Sequence, residues 1–150
     1  MDIAASDVEH RLGPERARTP RILIVDDDPA TRLLCSINLE LEGLDVIEAE
    51  NGEHALLRAR SEHPDLVVTD VAMPGLDGFQ LAESLRRDFR TRRIPLIFLS
   101  GEATIANEAR ALALGALAYL SKPFDPIAFA TLVSGVFAPG GAEDTSPPAA

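Results

Sequence analysis

The chain has one cysteine, one tyrosine and no tryptophan among its 150 residues. A lone thiol, Cys35, cannot close an internal disulfide, so nothing points to an oxidising compartment. No apolar run approaches the roughly 20 residues that span a bilayer, and Met1 to His10 lack the apolar stretch of a signal peptide. A cytoplasmic protein without membrane contact is the expectation. Cations are also scarce: 14 Lys and Arg against 24 Asp and Glu leave a formal net charge of −10. That balance argues against direct DNA binding or an anionic-membrane surface, both of which need clustered positive charge. His10, His54 and His63 are dispersed without metal-ligand spacing and read as surface residues.

What remains is ordinary globular material, 46% hydrophobic and 25% charged, enough for one domain with its own core. Residues 1–19 mix charge, Ala and Pro without a period and read as a flexible leader. The tail, 139–150, is poor in apolar bulk and is expected to be disordered. The domain is placed at 20–138. Within it, strand and helix signals alternate. Arg21 to Val25 is a continuous apolar run, as in a strand buried on both faces. Asp28-Pro29 supplies a helix cap with proline in the first turn. Leu33, Leu34, Ile37 and Leu41 then recur at helical spacing, and Gly43 fits just past the helix end.

Leu44 to Glu48 reads as strand two, and a helix through Ala55, Leu56, Leu57 and Ala59 follows. Asp65 to Thr69 is strand three, with Phe79, Leu81, Ala82 and Leu85 as the next helix's apolar face. Leu96 to Leu99 is strand four, Glu102 to Leu114 a helix ended by Gly115, Ala118 to Leu120 strand five, and Ile127 to Phe137 the last helix. This repetition predicts an α/β sandwich around a parallel sheet. The last helix carries no charged residue from Pro126 to Phe137, so its outer face is a candidate homodimer or partner interface. Arg86, Arg87, Arg90, Arg92 and Arg93 form the one basic run and read as a solvated helix end and loop.

The chemistry lies at the strand ends, where ligands bind in such sheets. Asp26 and Asp27 close strand one, Asp70 strand three, Ser100 strand four, and Lys122 follows strand five. Three carboxylates brought together repel by roughly 3 kcal/mol per pair at 5 Å and an effective dielectric near 20. They therefore call for a cation. Lys122 offsets part of the repulsion, and Mg²⁺, which suits carboxylates, waters and a phosphate oxygen, would offset more. Asp70 is the candidate nucleophile, forming an acyl phosphate, with Lys122 and Ser100 stabilising the equatorial oxygens. Asp28 is assigned to the helix cap.

These residues also carry a resemblance. The stretches Ile22 to Asp28, Asp65 to Phe79 (with Met73-Pro74-Gly75-Leu76-Asp77-Gly78), Ile94 to Ser100, Gly115-Ala116 and Tyr119 to Phe124 resemble the receiver domain of two-component response regulators, the CheY-like family. The resemblance implies a flavodoxin-like, doubly wound five-stranded parallel sheet of order 2-1-3-4-5 with helices on both faces. It implies that Asp70 takes a phosphoryl group from a sensor histidine kinase or histidine phosphotransfer protein. Asp26, Asp27, Asp70 and the backbone carbonyl of Ala72 would hold Mg²⁺ (or Mn²⁺), Asp27 directly and Asp26 largely through water. Ser100 and Tyr119 match the family's switch pair, and Lys122-Pro123 its usual cis bond.

Ser100 replaces the commoner Thr, keeping the hydroxyl, and Gly101 the commoner Ala. Ala72 and Glu102 occupy positions that tune dephosphorylation, which leaves the phosphoryl lifetime open. The expected protein is a stand-alone, single-domain regulator signalling to a downstream protein rather than an enzyme. A phosphate shuttle or sink and a constitutive pseudo-receiver stay open. A phosphatase using Asp70 would need a second acid where Ala72 stands.

Overall fold

A computed structural model describes residues 18–139; the leader before Arg18 and the tail beyond Pro139 lie outside the described residues, as does His10. Strand and helix alternate five times: β1 (Arg21–Val25), α1 (Pro29–Leu41), β2 (Asp45–Ala49), α2 (Gly52–Glu62), β3 (Leu66–Asp70), α3 (Gly78–Arg87), β4 (Leu96–Ser100), α4 (Ile105–Ala113), β5 (Ala118–Ser121) and α5 (Pro126–Val136). All paired strands are parallel, in the order β2-β1-β3-β4-β5. This is the flavodoxin-like topology that the resemblance implies, with the strand order reversing between β1 and β3.

Alternation along each strand divides the core. Leu23, Val25, Val67, Leu96 and Phe98 pack with Ala55, Phe79, Leu81 and Leu85 on the side of α2 and α3. Ile22, Ile24, Leu66, Val68, Ile97 and Leu99 pack with Cys35, Leu39, Phe129 and Val133 on the side of α1 and α5. Strands covered on both faces have no polar face, which is why β1 and β4 read as unbroken apolar runs. Burial holds the Cys35 thiol protonated, its pKa pushed up to about 12, as befits a packing residue.

Helix ends follow their caps. Asp28 accepts from the Ala30 amide and the Thr31 hydroxyl, and that hydroxyl, more than any other neighbour, lowers the pKa of its carboxyl. Asp77 and Gln80 form a reciprocal capping box on α3. The fourth helix begins at Ile105, later than the expected Glu102, because Thr104 caps the Asn107 amide. Gly43 and Gly115 take positive φ of 85° and 80° past α1 and α4, as expected of helix-ending glycines.

Three packing details differ from the sequence reading. The Leu33, Leu34, Ile37 and Leu41 stripe that marks α1 as a helix is not the face that α1 buries. These side chains are 57%, 45%, 46% and 79% exposed, whereas Cys35, Ser36 and Leu39 point inward. The last helix, by contrast, buries Phe129, Ala130 and Val133 and leaves Ile127 and Leu132 outside, as its apolar outer face led one to expect. Arg86 is not a solvated residue: it donates to the carbonyls of Arg92, Ile94 and Leu114 and staples two loops beneath the sheet. Arg90 and Arg60 both pair with Asp88, while Arg87, Arg92 and Arg93 are exposed. His54 and His63 are exposed as well. Arg18, assigned to the leader, grips Asp65 with both guanidinium nitrogens at 2.9 Å.

Candidate functional site

Asp26, Asp70 and Lys122 each stand at a strand end that gains one further cross-strand hydrogen bond. The Asp26 amide donates to the Ala49 carbonyl, the Val71 amide to Leu99, and the Lys122 amide to Ser100 at 2.7 Å. These bonds extend the ladder past β1, β3 and β5 and fix the residues that emerge from them. Gly78 closes the other side of Asp70. A Cβ there would collide with the Asp70 carbonyl oxygen and press on the Val71 Cα, so only glycine lets α3 start this close to β3.

Carboxylate oxygens of Asp26, Asp27 and Asp70 lie within 4.8 Å of one another, Asp26 and Asp70 buried and Asp27 exposed. Lys122 reaches between them, its Nζ donating to Asp26 Oδ2 at 2.9 Å and lying 3.3 Å from Asp70 Oδ1. Asp26 is held on every polar atom. Its Oδ1 accepts from the Asp28 amide and its backbone carbonyl from Arg32, in addition to the Lys122 and Ala49 bonds. Burial first, and the Asp26 charge next, push the Asp70 carboxyl above its ordinary pKa, against the pull of Lys122. Burial works to lower the Lys122 ammonium, yet its bonds and attraction to Asp26 and Asp70 win and raise it. At separations up to 4.8 Å the carboxylates repel by roughly 3 kcal/mol per pair at an effective dielectric of 20. One ammonium cannot neutralise three carboxylates, and a compact all-oxygen cluster is the donor set that a hard divalent cation takes. The residues therefore fit Mg²⁺.

Ser100 ends β4 beside β3, where Asp70 pairs with Leu99, but its hydroxyl faces elsewhere. It donates to the Glu102 carbonyl at 3.0 Å and accepts from the Glu102 amide at 2.9 Å. Tyr119 on β5 donates to the same Glu102 carbonyl at 2.6 Å, and the Asn107 side chain donates to it through Nδ2 at 3.3 Å. The two switch candidates thus share one acceptor. Ala72 lies in the exposed β3–α3 loop, and the Lys122-Pro123 bond is cis. Arg32, Glu48 and Asn107 were not singled out by sequence. Their contacts run to backbone atoms or across elements far apart in the chain, and no local pattern announces such contacts.

Together, the five-stranded sheet and the acid cluster at its crevice define a signalling receiver. The response regulator receiver domain profile matches residues 22–134, and the chain belongs to that family. Protein PilH of Pseudomonas aeruginosa is 38% identical over 118 residues, 79% of this chain and 98% of its own length. The DNA-binding dual master transcriptional regulator RpaA of Synechocystis is 45% identical over 106 residues, 71% of this chain but 44% of its own length. The chain thus spans less than half of that larger relative. Among solved structures, a CheY-like receiver from Methanospirillum hungatei superposes with TM-score 0.75 at 28% identity, covering 85% of this chain and 99% of that one. A putative response regulator from Chloroflexus aurantiacus gives TM-score 0.74 at 31% identity, covering 81% and 100%. The family binds Mg²⁺ at an acidic pocket and interacts with histidine kinases and downstream targets. No helix among the described residues is long and apolar enough to cross a membrane.

Proposed function

We propose that Asp70 is the phosphoacceptor of a two-component or phosphorelay pathway in the cytoplasm. The observation that carries this is the three-carboxylate cluster with Lys122 suspended between Asp26 and Asp70. A phosphohistidine of a kinase or phosphotransfer protein donates: its N–P bond breaks as a bond from an Asp70 carboxylate oxygen to phosphorus forms, and the imidazole leaves. Asp26, Asp27, Asp70 and the Ala72 carbonyl would hold Mg²⁺ (or Mn²⁺), which supplies positive charge to the transferring phosphoryl oxygens. Lys122, 3.3 Å from Asp70 Oδ1, would support the same charge.

A donor surface adjoins the site. Leu33, Leu34, Ile37 and Leu41 run along α1 from near its Asp28 cap, exposed over the helix's whole length. Such a stripe fits a helix of the phosphodonor lying across it. On the other side, a groove of about 310 Å³ between α4 and β5 is lined by Leu112, Leu117 and Tyr119. Once a phosphoryl group draws the Ser100 hydroxyl from the Glu102 carbonyl, the hydrogen bonds of Tyr119 and Asn107 rearrange and this groove changes shape. That is a signal to a partner protein, not turnover of a substrate.

The test is intact mass after incubation with a small acyl phosphate and Mg²⁺. Wild type should gain one phosphoryl group, lost on chelation of Mg²⁺ during the reaction, and Asp70→Asn should gain none. An equal adduct on the variant would remove Asp70 from the role.

A further inference from the structure

The peptide unit joining Asp26 to Asp27 is pinned by a side chain that the transfer chemistry leaves unused. Arg32 stands in the first turns of α1 with its side chain only 16% exposed. One fork nitrogen donates to the Asp26 carbonyl at 2.6 Å, and Nε donates to Glu48 Oε1 at 3.1 Å. Glu48 comes from β2. Its second carboxylate oxygen accepts the Ser36 hydroxyl at 2.9 Å, and its backbone carbonyl accepts from Arg58 at 2.8 Å. The guanidinium is thus itself oriented, by a carboxylate held on both oxygens.

A peptide unit is planar, so fixing its oxygen fixes the directions in which the Cα atoms on either side depart. The other bonds on Asp26 engage its amide and its two carboxylate oxygens, and these place Asp26 alone. Asp27 is exposed, and no side-chain hydrogen bond of its own holds it among the described residues. Its position relative to Asp26 depends on the plane that Arg32 grips.

We propose that Arg32 is a positioning residue for the divalent-cation site, anchored by Glu48, and that it sets the mutual geometry of the Asp26 and Asp27 carboxylates. This rests on the reading of the acid cluster as a Mg²⁺ site. The inference has a sign that charge alone would reverse. Removing a cation beside an acidic cluster strengthens Mg²⁺ binding through Coulomb's law, whereas removing a support for its ligands weakens it.

Calorimetric titration of MgCl₂ into the metal-free chain separates the two. Arg32→Met should bind Mg²⁺ about tenfold more weakly, the scale typical of lost outer supports. Its phosphorylation by acetyl phosphate should need more Mg²⁺ for half-saturation yet reach a near-normal rate once saturated. Arg32→Lys keeps the charge without the planar fork and should fall between. Glu48→Gln should shift affinity in the same direction, but it also removes a negative charge, so Arg32→Lys, which conserves the charge, carries the test should Arg32→Met fail to fold. Binding to Arg32→Met, or in that case to Arg32→Lys, as tight as wild type or tighter would overturn the proposal. If wild type bound no Mg²⁺, the cation site would fall and this inference with it. Wild-type binding matched by the variants would sink Arg32's role alone.

Discussion

The acid cluster at the ends of β1 and β3 and the quadrant around β5 and α4 are held to different degrees. On the β1–β3 side the strands are buried almost end to end, and Asp26 has a partner for its amide, its carbonyl and both carboxylate oxygens. On the β4–β5 side, β5 is only partly covered, and Ala111 is the one residue that α4 buries, with Ile105 and Leu112 left 87% and 74% exposed. The polar ties of that quadrant are few. Arg110 lies 4.5 Å from the Phe79 ring centroid and binds Glu83 at 3.0 Å, and Ser100, Tyr119 and Asn107 all address the Glu102 carbonyl. A carbonyl oxygen has two lone pairs, so three donors cannot all be well served and a small change at one redistributes the others. Phosphoryl chemistry needs ligands that stay put, and a signal needs an element held loosely enough to move. This fold assigns the two tasks to different strands.

The strongest way to break the comparison is on the rigid side. Lys122→Met removes the ammonium between Asp26 and Asp70 and should slow acyl-phosphate labelling about 100-fold, the usual cost of one transition-state donor. Because Lys122 occupies oxygens that a cation would use, the same variant should bind Mg²⁺ at least as tightly as wild type. Normal labelling would mean that the ammonium is only a counter-ion. On the α1 surface, Ile37→Glu should cut transfer from a phosphorylated protein donor about tenfold, an effect of the size of one lost interface anchor. Labelling by acetyl phosphate should be unchanged, and equal losses with both donors would place the damage in the site rather than in docking.

A milder change tests the loose side. Tyr119 is the single tyrosine in a chain without tryptophan, so intrinsic fluorescence reports on it directly. Ser100→Ala should still take up phosphoryl groups but lose most of the fluorescence change that accompanies phosphorylation in wild type. A full change in the variant would uncouple Tyr119 from the hydroxyl.

The smallest effect concerns pH. Because the folded pKa of Asp70 lies above its ordinary value of 3.8, the folded chain holds that proton more tightly than the unfolded one. Stability from this group is then lost as pH rises through the folded pKa, the reverse of an ion-paired carboxylate. Asp70→Asn should accordingly melt about 3 °C higher than wild type at neutral pH without Mg²⁺, and the gap should close toward pH 4. A gap that persists in acid would point to packing instead.

Much of this could be read from the sequence, for a physical reason. Strands buried on both faces are written as apolar runs, so Ile22 to Val25 and Leu96 to Leu99 announce themselves, and so do the polar residues that follow them. The acid cluster and Lys122 were therefore legible at the ends of such runs. Periodicity does not say which side of a helix faces inward when the buried side is small. On α1, Cys35, Ser36 and Leu39 go in while Leu33, Leu34, Ile37 and Leu41 stay out. Backbone acceptors are silent in sequence, which hid Arg86 beneath its three carbonyls, Arg32 on Asp26, and the shared Glu102 oxygen.

The most direct measurement locates the phosphoryl group by residue. Borohydride reduces an aspartyl phosphate to homoserine with release of phosphate, and peptide sequencing by mass spectrometry then finds the altered side chain. After treatment with acetyl phosphate and Mg²⁺, homoserine should stand at position 70 and be absent when Mg²⁺ is chelated beforehand. Homoserine at Asp26 or Asp27, or none at all in the presence of Mg²⁺, would contradict the account.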